Sequence, residues 1–169
     1  AFIDCDDIYE SNKIEKSIEV LKNDLSYDFV YTDVYFIDQI GNKINQKSYT
    51  KNHPGSGYIA ERILLSDFTI TNSTLVLRKS CLKTISDFDE KIFVAADRDF
   101  ILRLAMNFKA FYLNKKLTGY RVGSGNTNQN LDIMLNEFLY LIDKNINQIS
   151  YHGQNFKNRC YSNVYYNFG

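Results

Sequence analysis

The sequence changes abruptly from apolar to acidic over residues 2–7, which read FIDCDD. The first two residues are typical of the end of a buried strand, and three carboxylates, those of Asp4, Asp6 and Asp7, follow within four residues. Carboxylates this close repel one another unless a positive group lies nearby. Because ligands of parallel α/β sheets bind at the carboxyl ends of the strands, this stretch predicts a ligand-binding acidic loop at a strand end.

Helical and extended patterns alternate downstream of this loop. Apolar residues recur at helical spacing after Ser11, a candidate N-cap, and again over residues 96–108. Residues 28–37 and 74–77 are β-branched and apolar, which favours strands. The shorter predicted elements are a turn at residues 41–42, a loop at residues 45–57, helices at residues 58–65 and 80–85, and strands at residues 110–113 and 117–121. This alternation predicts an α/β domain.

A second helical region follows the α/β pattern. Residues 129–149 place Leu131, Leu135, Phe138 and Ile142 on one face of an amphipathic helix. We therefore divide the chain into an α/β domain of residues 1–127 and a helical C-terminal extension of residues 128–169. The total of 169 residues suits a chain with one domain-sized core.

Composition excludes several classes of protein. Twenty Lys and Arg residues balance twenty Asp and Glu residues, so the basic excess of a typical nucleic-acid-binding protein is missing. Three cysteines, Cys5, Cys81 and Cys160, are odd in number and far apart, which favours neither a disulfide framework nor a zinc ribbon and fits a reducing compartment. No apolar run approaches the ~20 residues that cross a bilayer.

The segment from Asp4 to Asp6 is a candidate metal site. Mg²⁺ and Mn²⁺ prefer oxygen ligands, and Mg²⁺ is commonly bound by one or two carboxylates together with substrate phosphates. Two aspartates separated by one residue at a strand end can supply such ligands. The alternative is a solvated acidic turn that precedes the helix at Ser11.

Asp97 is a candidate general base. A base must lie within reach of the proton that it removes, and both histidines, His53 and His152, lie in polar segments away from the predicted elements. A carboxylate therefore has the better claim. The alternative is that Asp97 and Asp99 only complement the positive end of the helix dipole.

Six segments, in their order along the chain, resemble the C-terminal part of the family-two glycosyltransferases with the GT-A fold. The first contains the aspartate-x-aspartate motif, the fifth resembles the helix that bears the catalytic base, and the sixth resembles the closing tyrosine-arginine strand. The six segments are residues 1–9, 29–34, 71–78, 88–90, 96–105 and 117–122. The resemblance covers about residues 1–127.

The resemblance implies a GT-A-like, Rossmann-like mixed sheet flanked by helices, which lacks its N-terminal nucleotide-binding half and carries a C-terminal helical tail. It implies that Asp6 binds a divalent cation, Mn²⁺ or Mg²⁺, and that Asp4 supports the loop. Asp97 would be the catalytic base of an inverting transfer from a nucleotide-diphosphate sugar. The residues expected near the substrate cleft are Asn72, Ser73 and Arg121.

Three positions depart from the family pattern. Ala96 stands where the family usually has glutamate, Ser86-Asp87 replaces a glycine pair, and Gly123 occupies a position that is often histidine. The nucleotide-binding half that the resemblance finds missing predicts weak or no activity for the 169 residues alone.

The resemblance also implies a setting and partners. We expect bacterial surface-polysaccharide synthesis in the cytoplasm, with peripheral attachment to the inner face of the cell membrane and a glycan or lipid-linked acceptor. One alternative is a non-catalytic sugar-binding or assembly module of the same fold. Another is a haloacid-dehalogenase-type phosphatase, which would use Asp4 and Asp6 as nucleophile and acid/base pair, although Ile8 stands where that family expects threonine or valine.

Overall fold

A computed structural model describes residues 1–45, 54–85, 87–123, 131–149 and 153–168. Most of the predicted loop at residues 45–57, Ser86 and the first two residues of the predicted helix at 129–149 lie outside these ranges. The strands are β1 (Ile8–Tyr9), β2 (Phe29–Ile37), β3 (Lys43–Ile44), β4 (Val76–Leu77) and β5 (Ala110–Arg121). The α-helices are α1 (Lys13–Asn23), α2 (Ala60–Leu64), α3 (Ala96–Asn107), α4 (Leu131–Ile149) and α5 (Gly153–Phe168).

The strands of the described ranges form one mixed sheet. Its centre is the parallel pair of β2 and β5, which extends from Phe29 opposite Ala110 to Ile37 opposite Arg121. β3 and β4 pair antiparallel with the two ends of β2, and β1 pairs antiparallel with β5. Since β2 and β5 end at the same edge and β1 pairs with the last residues of β5, the acidic residues before β1 lie at that carboxyl edge.

β5 is one continuous strand, so the prediction of two strands at residues 110–113 and 117–121 was wrong. The polar residues between them, 114–116, are exposed and remain in the strand. The register against β2 shifts on both sides of Asp33, which marks a β-bulge. A bulge accommodates extra residues in one strand without ending the pairing. In the sequence alone, a polar interruption of this kind indicates a loop.

The N-terminal elements also differ from the prediction. Residues 2–3 form no strand, and one backbone hydrogen bond, from the Phe2 N–H to the Leu75 carbonyl at 3.3 Å, joins them to the sheet side. The first strand is instead β1, after the acidic residues. Ser11 does not cap α1, because the helix begins at Lys13 and its preceding residue, Asn12, makes no side-chain capping bond.

The short predicted elements keep their places with changed extents. The helix predicted at residues 58–65 is α2, and the one predicted at residues 80–85 is a 3₁₀ helix, Lys79–Lys83. Of the strand predicted at residues 74–77, β4 alone pairs with a neighbouring strand among the described residues; Leu75 is extended, and a 3₁₀ turn, Asn72–Thr74, precedes it. Gly41 adopts a φ of +93° in the predicted turn. A left-handed φ of this kind is the usual reason for glycine in a turn.

The C-terminal helices share the main apolar core of the chain. Ile142 of α4 and Val164 of α5 belong to the same buried cluster as Phe29 of β2 and Leu104 of α3. The sequence predicts a helical extension at residues 128–169 without separating its second helix, α5. None of the helices in the described ranges combines the length and hydropathy needed to cross a lipid bilayer.

Candidate active site

The acidic loop of residues 4–7 is held by β5 and by the turn before β4. The Asp4 N–H donates to the Ser73 hydroxyl oxygen at 2.9 Å. The Arg121 N–H donates to Asp7 Oδ1 at 3.0 Å, and Arg121 Nε donates to the Asp6 carbonyl at 2.7 Å. These bonds join residues more than 60 positions apart in the sequence, so the loop's conformation depends on the tertiary fold.

The Arg121 guanidinium forms hydrogen bonds to backbone carbonyl oxygens. Besides the Asp6 carbonyl, its guanidinium donates to the Asp38 carbonyl at 2.6 Å and to the Gln39 carbonyl at 2.8 Å. It therefore ties the acidic loop to the turn that follows β2. The structure places this predicted substrate residue at the site, with a guanidinium that bonds to three carbonyl oxygens.

Asn72 and Ser73 lie in the 3₁₀ turn beside the loop. Ser73 is fully buried; its hydroxyl oxygen accepts the Asp4 amide, and its carbonyl accepts the Thr118 hydroxyl at 3.2 Å. The side-chain oxygen of Asn72 is buried, and within the described ranges it has no hydrogen-bond partner. Ser73 thus supports the loop, whereas Asn72 retains an unused acceptor.

Asp7 is buried between the loop and β5, although the sequence analysis assigned it no role. Burial raises the pKa of its carboxyl group, the charges of Asp6 and Asp4 raise it further, and the Ser73 hydroxyl and Arg121 amide oppose this. Oδ2 of Asp7 is buried without a hydrogen-bond partner among the described residues. A buried acceptor of this kind is costly unless a ligand completes it.

Asp97 lies in the first turn of α3. Its Oδ1 accepts the Arg98 N–H at 2.7 Å. Burial raises the pKa of the Asp97 carboxyl group above the ordinary value of 3.8; the amide and charge of Arg98 oppose this rise, and the charge of Asp4 adds to it. The ring centroids of Phe2 and Phe100 lie 5.3 Å apart, so the residues that lead into the acidic loop contact the first turns of α3.

Carboxylates of both acidic segments, the loop of residues 4–7 and the start of α3, affect the pKa of Tyr120. Its phenol is half-buried near the end of β5, and burial is the main cause of its raised pKa. The charges of four carboxylates add to this rise: those of Asp7, Asp6, Asp97 and Asp4. Carboxylates of the acidic loop and of the start of α3 thus act on the same phenol.

The carboxylates suit a divalent cation that also binds a substrate. In the described ranges, no three His, Cys, Asp or Glu side chains are close enough to hold a metal by themselves. A cation would therefore be bound by one or two carboxylates of the loop and by substrate oxygen atoms, as is common for Mg²⁺. Such a cation could also provide a partner for the buried Oδ2 of Asp7, which has none among the described residues.

Sequence reasoning missed two residues of this site. Asp7 was visible as the third carboxylate of the FIDCDD stretch, and Tyr120 as the partner of Arg121 in the closing strand. Neither signal indicates burial or proximity, because both depend on the pairing of β1 with β5.

The chain has a weak sequence similarity to one curated protein that is named a glycosyltransferase. It is 25% identical over 123 residues to a protein of Methanocaldococcus jannaschii that is named an uncharacterised glycosyltransferase; the match covers 72% of this chain and 41% of that protein. The chain therefore spans about two fifths of the length of this relative. This weak similarity suggests a glycosyltransferase-like function. No protein-family model matches the chain.

The fold resembles a solved structure. The crystal structure of residues 1–349 of S. aureus TarS matches the chain with a TM-score of 0.58 and 15% sequence identity. The match covers 97% of this chain and 44% of the TarS chain. It includes the C-terminal helices, so the mixed sheet and its flanking helices together correspond to part of one known architecture.

Proposed function

We propose that the chain carries the cation-binding loop and the general base of an inverting glycosyltransferase that uses a nucleotide-diphosphate sugar. The observation that carries the proposal is the contact between the two segments: the ring of Phe2, two residues before Asp4, lies 5.3 Å from the ring of Phe100, three residues after Asp97. The charges of both segments also raise the pKa of the Tyr120 phenol. A metal-assisted transfer needs a cation at the leaving group and a base at the acceptor, and these two segments offer both within one region.

Asp97 is suited to remove the acceptor proton. As the acceptor oxygen forms its bond to the anomeric carbon, the bond from that carbon to the diphosphate oxygen breaks, and the diphosphate leaves with the electron pair. The acceptor proton passes to the Asp97 carboxylate. A single displacement of this kind inverts the configuration at the anomeric carbon. Burial raises the pKa of Asp97, which makes its carboxylate a stronger base than an exposed aspartate.

Asp6 and Asp4 are the proposed cation ligand and its support. Asp6 is exposed, and its backbone is held by Arg121, while the backbone of Asp4 is held by Ser73. A bound Mn²⁺ or Mg²⁺ would neutralise the negative charge that develops on the departing nucleotide diphosphate. Asn72, with its unused buried oxygen, is the third residue that we place near the donor.

The wider role follows from the same proposal. The acceptor would be a hydroxyl of a glycan or a lipid-linked sugar in bacterial surface-polysaccharide synthesis, at the cytoplasmic face of the membrane. Nothing in the charge balance of twenty basic and twenty acidic residues favours a nucleic-acid partner.

Calorimetry tests the cation loop directly. We expect the full-length gene product that contains these residues to bind UDP or another nucleoside diphosphate only when Mn²⁺ is present, and Asp6→Asn to weaken that binding at least about tenfold, because it removes a charged oxygen ligand. Asp24→Asn is the matched control, since Asp24 is exposed and its Oδ1 accepts the Ser26 N–H at 2.9 Å. Equal binding with and without Mn²⁺, or by Asp6→Asn, would contradict the proposal.

A non-catalytic module remains the second candidate because Ala96 stands directly before the proposed base, where the family has glutamate. That reading predicts glycan binding that depends on neither Mn²⁺ nor Asp6. The same calorimetric series distinguishes it from the enzyme.

A further inference from the structure

Residues 93–95, which lead into α3 and Asp97, are bound by a side chain of α4. Three consecutive backbone amides donate to the carboxylate of Glu137: the Phe93 N–H to Oε1 at 2.8 Å, the Val94 N–H to Oε2 at 2.8 Å and the Ala95 N–H to Oε2 at 2.7 Å. Hydrogen bonds to an ionised acceptor are about twice as strong as neutral ones. One side chain of α4 therefore binds all three residues before α3.

α3 has no side-chain cap of its own. Ala95 precedes its first residue, and alanine cannot offer an oxygen to the free amides of a helix start. Glu137 bonds instead to the residue that precedes the helix: its Oε2 accepts the Ala95 N–H, although Glu137 lies more than 40 residues away along the chain. The conformation of residues 93–95 consequently depends on the place of α4.

A second clamp lies on the same face of α4. Lys144, two helical turns after Glu137, donates to Asp89 Oδ2 at 2.7 Å and to Asp99 Oδ1 at 2.9 Å. Asp99 is fully buried, and its other oxygen accepts from Arg103 Nε at 2.7 Å. Lys144 thus joins the residues that precede and follow Asp97, and it supplies part of the charge that a buried carboxylate needs.

α4 is itself firmly anchored. Leu141, Ile142 and Ile146 are buried, and Leu141 packs with Ile92 and Ala95 of the held segment. Arg98, the residue after the proposed base, places its guanidinium 4.5 Å from the centre of the Phe138 ring. α4 is therefore a rigid support rather than a mobile neighbour of the segment.

We propose that Glu137 is a positioning residue for Asp97: its carboxylate fixes residues 93–95 and thereby holds the base against the acidic loop. This inference rests on the proposed function for its catalytic consequence. The structural part, that the Glu137 carboxylate accepts the backbone amides of residues 93–95, does not depend on activity.

Hydrogen exchange tests the structural part without activity. We expect Glu137→Gln to speed exchange of the Phe93, Val94 and Ala95 amides about tenfold, because the neutral amide has one oxygen for three donors and no charge. Glu137→Ala should raise it further. The matched control is Asp143→Asn, which removes a carboxylate of α4 that pairs with Lys157 and Tyr161 of α5 instead.

Two further readouts separate positioning from general destabilisation. In Glu137→Gln, the pKa of Asp97, followed by carboxyl NMR, should fall towards the ordinary value of 3.8 as the base becomes more hydrated. Exchange at Phe29 and Leu104, which are buried in the main cluster, should stay unchanged. Unchanged amide exchange at residues 93–95, or an equal rise throughout the core, would overturn the proposal.

The catalytic part is tested on the full-length gene product that contains these residues. Glu137→Gln should lower kcat about tenfold or more while leaving the KM for the donor unchanged, and Glu137→Asp should restore part of kcat. A rise in KM alone would contradict a positioning role. If the unchanged protein transfers no sugar, the proposed function fails, while the exchange result still decides whether Glu137 holds the segment.

Discussion

The side chains around Tyr120 form an unusually acidic neighbourhood. Asp4, Asp6 and Asp7 come from one loop and Asp97 from a helix start, and the charge of each raises the pKa of the Tyr120 phenol. The Arg98 charge acts on Asp97, whereas the Arg121 guanidinium beside the loop bonds to carbonyl oxygens. The charge of this region therefore favours a cationic ligand over an anionic one.

At the residue scale, the raised pKa of Asp97 predicts a pH dependence. A base must be deprotonated to accept a proton, so the rate of sugar transfer should fall as the pH drops through this raised pKa, above the ordinary 3.8. Asp97→Asn should lower kcat by about 10²–10⁴-fold and abolish this acidic limb. The measurement is a pH–rate profile of the full-length gene product.

Asp24→Asn serves as the control for this profile, since its carboxylate bonds only locally, to the Ser26 amide. An acidic limb that persists in Asp97→Asn would show that another group is the base.

At the element scale, β2 and β5 meet closely where Tyr35 lies opposite Gly119. A Cβ added at Gly119 would lie 2.8 Å from Tyr35 Cε2. The Tyr35 ring is itself covered by Lys43, whose Nζ lies 4.0 Å from the ring centre. Glycine is required here by this close approach of a ring to the neighbouring strand.

Gly119→Ala should therefore destabilise the fold by about 1–3 kcal/mol, the usual cost of overpacking. The cost should shrink to below about 0.5 kcal/mol when Tyr35→Ala removes the ring, and a double-mutant cycle of urea unfolding measures the difference. Additive effects of the two substitutions would show that the ring is not the obstacle.

The sequence predicts the positions of some helices and strands correctly and those of others incorrectly. Amphipathic spacing indicated α1, α3 and α4, because one apolar face against a core repeats every three or four residues. It failed for β5, where the bulge opposite Asp33 keeps a polar run inside the strand. It also failed at residues 2–3, whose apolar side chains predict a strand although they make a single backbone bond to Leu75.

The candidate site was predictable in its residue types and not in its connections. Asp4, Asp6 and Asp97 are recognisable as carboxylates near element ends. The cap that Glu137 provides for Ala95, and the bond from Arg121 to Asp6, join residues 42 and 115 positions apart. Only the packing of α4 and the pairing of β1 with β5 bring these groups together.

At the scale of the whole molecule, one core unites the sheet and the C-terminal helices. Ile142 of α4 is 1% exposed and lies in the same cluster as Phe29 and Leu104. Ile142→Ala should lower the free energy of unfolding by about 2–5 kcal/mol. Circular dichroism and tyrosine fluorescence should follow one coincident urea transition, since both parts lose their packing together.

Leu131→Ala is the control on the same helix, because Leu131 is 56% exposed and its loss should change stability by less than about 0.5 kcal/mol. Two separated transitions in the unchanged protein would show that the helices of residues 131–168 unfold as an independent unit.

The three cysteine thiols differ in their solvent accessibility, so one of them can be labelled selectively. Cys5 lies exposed between Asp4 and Asp6, whereas Cys81 and Cys160 are fully buried. A maleimide fluorophore added to the folded protein would therefore attach at one position, within the acidic loop. Its emission would report when an ion or a nucleotide arrives there, without any change to the sequence.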